Sequence, residues 1–133
     1  MFAPEFGVSS AILFSRTAPG TYTSANTGIT GQRSISSFLL DATTIAITNG
    51  INIEHYNASG TLVNSGYFSW PANSNASQVE FFQNHYHICY KFTGSNKGLF
   101  VKANQAFQSV DSMSANVLIY HMNKSTNGML LTG

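Results

Sequence analysis

His85, His87 and Cys89 stand at alternate positions in the run HYHICYKF. On an extended strand, side chains two residues apart leave the same face about 7 Å from one another. Imidazole and thiolate both ligate zinc, and neighbours at this spacing can share one ion. These three are the candidate metal ligands. The competing reading makes them ordinary strand residues between Tyr86 and Tyr90.

A second candidate chemistry is sugar binding, which uses an aromatic platform beside amides and main-chain groups. Tyr67, Phe68 and Trp70, followed by the polar stretch Asn73 to Ser77, have that outline. Loops at the end of a β-sandwich commonly carry binding residues. Tyr67, Trp70, Asn73 and Asn75 are therefore the ligand-binding candidates, against the alternative that Trp70 is simply core. Catalysis has less to draw on. The acids are Glu5, Asp41, Glu54, Glu80 and Asp111, and no two stand at a motif spacing. There is no G-x-S-x-G, no P-loop and no G-x-G-x-x-G. The expectation is a non-enzymatic protein without a cofactor.

The composition points to contact with other proteins. Asp, Glu, Lys and Arg make up 8% of the chain, against about 25% in ordinary soluble domains. Ser, Thr and Asn take their place, with 42 of 133 residues. A surface of hydroxyls and amides suits burial in an assembly, where unpaired charge is costly to desolvate. The net charge is +1 and the six basic residues are scattered, so no basic patch for a phosphate backbone is expected. One cysteine excludes an internal disulfide framework. The start, MFAPEFG, lacks a basic region before its apolar residues, so no secretion signal is expected. No run approaches the length of a membrane span. Sequons at Asn57, Asn75 and Asn123 are read as chance in so Asn-rich a chain.

The elements that must hold these residues are strands. Short runs rich in Ile, Val, Thr, Phe and Tyr alternate with Gly, Asn and Ser about every ten residues, the texture of an antiparallel β-sandwich or jelly-roll-like barrel. One domain over 1–133 is expected, with contact arms at 1–14 and 123–133. Strands are expected at Val8 to Phe14, Arg33 to Leu40, Thr61 to Val63, Tyr67 to Trp70, Leu99 to Ala103 and Ala115 to Met122. Gln78 to Phe92 reads as one long strand or two joined by a bulge. Thr17 to Gly31 reads as a long loop or irregular edge strand, and Asn104 to Met113 as a loop or one helical turn. Asn57 to Gly60, Asn64 to Gly66 and Thr93 to Gly98 are turns, and Ala72 to Ser77 is a loop. In TTIAITNGINIEHY, a three-residue loop Thr48-Asn49-Gly50 would pair Ile47 with Ile51 and Ile45 with Ile53. That places four isoleucines on one face, with Gly50 at positive φ. The tail ends in Met129, Leu130 and Leu131, either a last edge strand or an arm for a neighbour.

Low charge, Asn/Ser/Thr-rich turns, one reduced cysteine and no visible leader together resemble the small β-sandwich structural proteins of tailed phages and viruses. These are capsid decoration or cement proteins and the terminal domains of fibres, some of which hold iron through His-x-His on a trimer axis. The resemblance implies a homotrimer located in the virion and assembled in the host cytoplasm. It would bind a larger partner such as a capsid shell or fibre, with residues 2–14 and Met129 to Leu131 as contact segments. It implies neither nucleic acid nor membrane as partner. A glycan-binding module or receptor-binding fibre tip is the alternative.

Overall fold

A computed structural model describes residues 9–31, 35–69, 71–119 and 121–132. Among these residues there are twelve strands and no helix. Two four-stranded antiparallel sheets form a sandwich, and each carries a two-stranded hairpin. The first sheet is a meander of β3 (Ser36–Leu39), β4 (Thr44–Thr48), β5 (Asn52–Asn57) and β6 (Leu62–Tyr67). The second is a meander of β7 (Ser74–Phe82), β8 (His85–Phe92), β9 (Gly98–Ala103) and β10 (Ser109–Ala115). Every strand of each sheet pairs with its neighbour in sequence, so of the two expected architectures the sandwich is the one that forms.

Three apolar layers hold the stack together. Between the sheets lie Phe38, Ala46, Ile53, Phe68, Val79, Tyr86, Ile88, Tyr90 and Val101. The hairpin of β1 (Ser9–Ala18) and β2 (Thr21–Gly31) lays Ile29 against Ile47 and Tyr56. The hairpin of β11 (His121–Lys124) and β12 (Met129–Thr132) lays Met122 against Cys89 and Ile119. Both central sheets are thus covered on both faces, which is why successive residues of β4 and β8 are buried without alternation.

Double coverage also overturns the expected register of the Asn49-Gly50 hairpin. Ile47 pairs with Glu54 and Ile45 with Tyr56, not with Ile51 and Ile53. Ile45 and Ile47 face the β1–β2 hairpin, while Ala46 and Ile53 face the other sheet. With an apolar layer on each side, no force gathers the isoleucines on one face. The turn is set by side-chain capping instead: Asn49 Oδ1 accepts from the N–H groups of Ile51 (3.0 Å) and Asn52 (2.8 Å). Gly50 does take a positive φ, 87°.

Other boundaries shift for local reasons. Asn64 to Gly66 is no turn; it lies inside β6, with Gly66 beneath the Phe107 ring. Ser74 to Ser77 is strand, with Ser74 and Ala76 buried. The run from Gln78 to Phe92 is broken by a tight hairpin at Gln83 and Asn84, both at positive φ (51° and 62°), the backbone of a two-residue primed turn. A turn without glycine inside an aromatic run left no signal in composition. Of the two readings of Thr17 to Gly31, the irregular edge strand is the one that forms: β2 pairs with β1 alone, with register shifts along it. Asn104 to Gln108 forms a turn whose Asn104 Oδ1 accepts from the N–H groups of Ala106 and Gln108 (both 3.0 Å), and β10 follows it. The expected strand Ala115 to Met122 is divided: Ala115 ends β10, and His121 begins β11. Met129 and Leu131 pack on the chain's own outer core, while Leu130 is exposed. Of the expected N-terminal arm, residues 9–14 belong to β1 and residues 1–8 lie outside the described residues.

Candidate functional site

His85, His87 and Cys89 occupy the outer face of the second sheet. His85 Nδ1 lies 2.9 Å from the Gln83 carbonyl. His87 is buried, stacked on Phe100 at 5.6 Å and tilted against Phe82 at 5.9 Å. Its Nδ1 is buried with no hydrogen-bond partner. Desolvation, and after it the charge on Lys102, holds its pKa below the ordinary histidine value. Cys89 is sealed under Ile119 and Met122, where burial pushes its thiol up to about 12. A neutral, sealed thiol is a poor metal ligand, because the thiolate is the coordinating form. Among the described residues no group of three His, Cys, Asp or Glu converges on a metal position.

The four ligand-binding candidates separate. Tyr67 ends β6 with the residue 74% exposed, beside a groove of about 700 Å³. Asn73 sits in the turn before β7 at φ 57°, where its carbonyl accepts the Thr93 N–H (2.8 Å). Asn75 pairs with Lys91 across β7 and β8. Neither asparagine lines the Tyr67 groove. Trp70 lies outside the described residues.

Tyr67 belongs to a larger feature. Strands β6 and β10 are the last strands of their sheets, and both border this groove, through Gly66 and Tyr67 on one bank and Ser109 and Val110 on the other. Leu62, Val63, Tyr67, Val110 and Met113 are exposed along them. Asp111 is the only charged residue in the two strands. Edge strands offer unpaired N–H and C=O groups, and natural proteins shield them with charges, proline or bulges. Each carries one register shift, at Val63 in β6 and at Val110 in β10, and beyond these bulges and Asp111 the two edges are little shielded.

A second concavity opens over the interior, about 310 Å³ in volume, bounded by Asp41, Asn64, Asn84 and Gln105. Its floor holds His55 of β5 and Tyr86 of β8, whose Nε2 and hydroxyl are 3.0 Å apart in an otherwise aromatic core. Phe68, Phe81 and Phe107 surround the Tyr86 ring at 5.0–5.6 Å. Desolvation lowers the His55 pKa and raises that of Tyr86 to about 12, so both are neutral near pH 7. Phe107 holds a positive φ of 66°, an uncommon backbone for a bulky residue, and its ring packs against Phe68, His55 and Tyr86.

Sequence reasoning missed this pair. His55 shares the face of Ile53 by strand alternation, but Tyr86 meets it only once both sheets are stacked. No family model, curated protein or solved structure matches the chain.

Proposed function

We propose that this chain is a non-catalytic structural protein that joins neighbouring protein subunits in a larger assembly, in the manner of a capsid decoration protein, and that the open side formed by β6 and β10 is where it meets a second copy of itself. The observation that carries this reading is the pair of edge strands with exposed Leu62, Val63, Tyr67, Val110 and Met113 and one charge between them. A monomer exposing such edges to water risks uncontrolled pairing, whereas a second copy satisfies the edge groups and removes the apolar surface from solvent. The low charge of the whole chain fits the same account. Many weak contacts of this kind add through effective concentration once several copies sit on one particle.

Sedimentation velocity over a concentration series tests this. The wild type is expected to form a discrete oligomer, a trimer in the decoration-protein reading. The Val63→Lys/Val110→Lys variant is expected to remain monomeric with an unchanged circular dichroism spectrum. A wild type that stays monomeric at the highest concentration reached, or a double-lysine variant that still assembles, overturns the proposed interface.

A further inference from the structure

We propose that the cleft over His55 and Tyr86 is a binding site for a neutral, monosaccharide-sized polyol, adjoining the proposed assembly surface at Asn64 of β6. Its volume, about 310 Å³, lies at the small end of the ~300–1,000 Å³ usual for small-molecule sites. Its rim is drawn from several parts of the chain: Asp41 after β3, Asn64 on β6, Asn84 in the β7–β8 turn and Gln105 in the β9–β10 turn. Leu40 and Phe81 supply apolar wall.

The chemistry of the rim selects the ligand. Each carboxamide sets an acceptor oxygen beside an NH2 donor, which matches adjacent hydroxyls that both give and take a hydrogen bond. Much of this capacity is unspent. The side chains of Asn84 and Gln105 make no hydrogen bond among the described residues, and Asn64 uses only its oxygen, toward the Ser65 N–H. Asp41 Oδ1 accepts from the Thr43 N–H and hydroxyl (2.8 and 3.0 Å), which fixes the carboxylate at the rim. Among the described residues no lysine or arginine lines the cleft. A phosphate, sulfate or uronate would therefore meet a carboxylate with no cation among the described residues to offset it. A neutral polyol meets only matching groups, with its C–H surface against Phe81 and Leu40. The buried His55–Tyr86 pair gives the floor a fixed polar spot, and a site of this kind discriminates strongly against ligands that leave its polar groups unpaired.

Saturation-transfer NMR on the full chain tests the proposal, with glucose, galactose, mannose and N-acetylglucosamine as probes and glucose 6-phosphate and glucuronate as charged comparators. At least one neutral sugar is expected to bind, with each charged comparator weaker. Asn84→Gly keeps the positive φ and, with Gln105→Ala at an exposed position, removes two rim amides without touching the core. This double variant should weaken binding about tenfold or more, while Tyr67→Ala and Val110→Lys, neither of which lines the cleft, bind as wild type does. The proposal is overturned if no neutral sugar binds, if a charged comparator binds more tightly, or if binding survives Asn84→Gly/Gln105→Ala. Binding lost only in Tyr67→Ala would move the sugar to the groove and overturn the cleft assignment equally. Because the assembly variants bear on other residues, failure here leaves the oligomer result standing.

Discussion

The two long sides of the sandwich are finished differently. On one side β3 and β7 touch across the sheets, and the Val79 N–H donates to Ser36 Oγ at 3.1 Å. Nearby, Gly50 rests against Ala76, and its carbonyl accepts the Tyr90 hydroxyl at 2.9 Å. On the other side β6 and β10 flank a groove, with Phe107 wedged over Gly66 and against Phe68. The difference lies in side-chain size. Serine, glycine and alanine let backbones approach and exchange hydrogen bonds, whereas a phenyl ring between sheets fills space without satisfying either edge. The closed side therefore belongs to folding stability, and the open side is the one proposed to meet a second copy.

That division is most sharply tested at Gly50. An alanine there would have to adopt φ near 87° and would place its Cβ onto Ala76 of the opposite sheet. Strain and overpacking together should cost about 3 kcal/mol or more, read as a large drop in the urea midpoint. A loss under about 1 kcal/mol would show that the closed side is not tightly closed. Tyr90→Phe should cost less, about 1–2 kcal/mol, because it leaves the Gly50 carbonyl without its buried donor while keeping the ring. An unchanged midpoint would mean that water replaces the hydroxyl there.

The sequence made the strand-rich class legible because its signals are local: β-branched and aromatic runs between Gly and Asn turns. Asn49-Gly50 and Asn57 to Gly60 are turns because their residues tolerate those backbones anywhere. Register was not legible, since it depends on how many layers cover a sheet. The β4–β5 pairing inferred from one buried face fails because Tyr56 and Ile29 form a second one. The turn at Gln83 and Asn84 was hidden because it has no glycine and lies inside a continuous β-branched and aromatic run, although Asn84 is a residue that tolerates positive φ. Of the candidate site residues, Tyr67 stands on the open side as an exposed aromatic. The polar cleft joins residues from both sheets and was out of reach of any linear pattern.

The two buried histidines, His55 between the sheets and His87 on the outer face of the second sheet, give the comparison a pH axis. Burial lowers both His55 and His87 below the ordinary value of 6.5. Below that value the unfolded chain takes up protons that the folded chain refuses, so stability falls as pH drops and is full above it. The urea midpoint should decline from about pH 7.5 to about pH 5, and His55→Gln/His87→Gln should flatten that stretch of the profile. If the double variant retains the full slope, the carboxylates set the acid response and the histidines are already solvated.

The smallest effect on folding is expected on the open side. Val63 is exposed on β6, so Val63→Lys removes little apolar contact within one chain and should move the urea midpoint of the dilute protein by no more than about 0.5 kcal/mol. The same substitution places a charge where a partner strand would have to desolvate it, so at higher concentration it should weaken assembly while the monomer stays intact. Measuring unfolding at two protein concentrations separates the cases. A wild-type midpoint that rises with concentration, beside a Val63→Lys midpoint that does not, identifies the edge as an interface, because association stabilises only the form that associates. If Val63→Lys destabilises the dilute chain as much as Tyr90→Phe does, β6 is part of the monomer's own core and the contrast between the two sides fails.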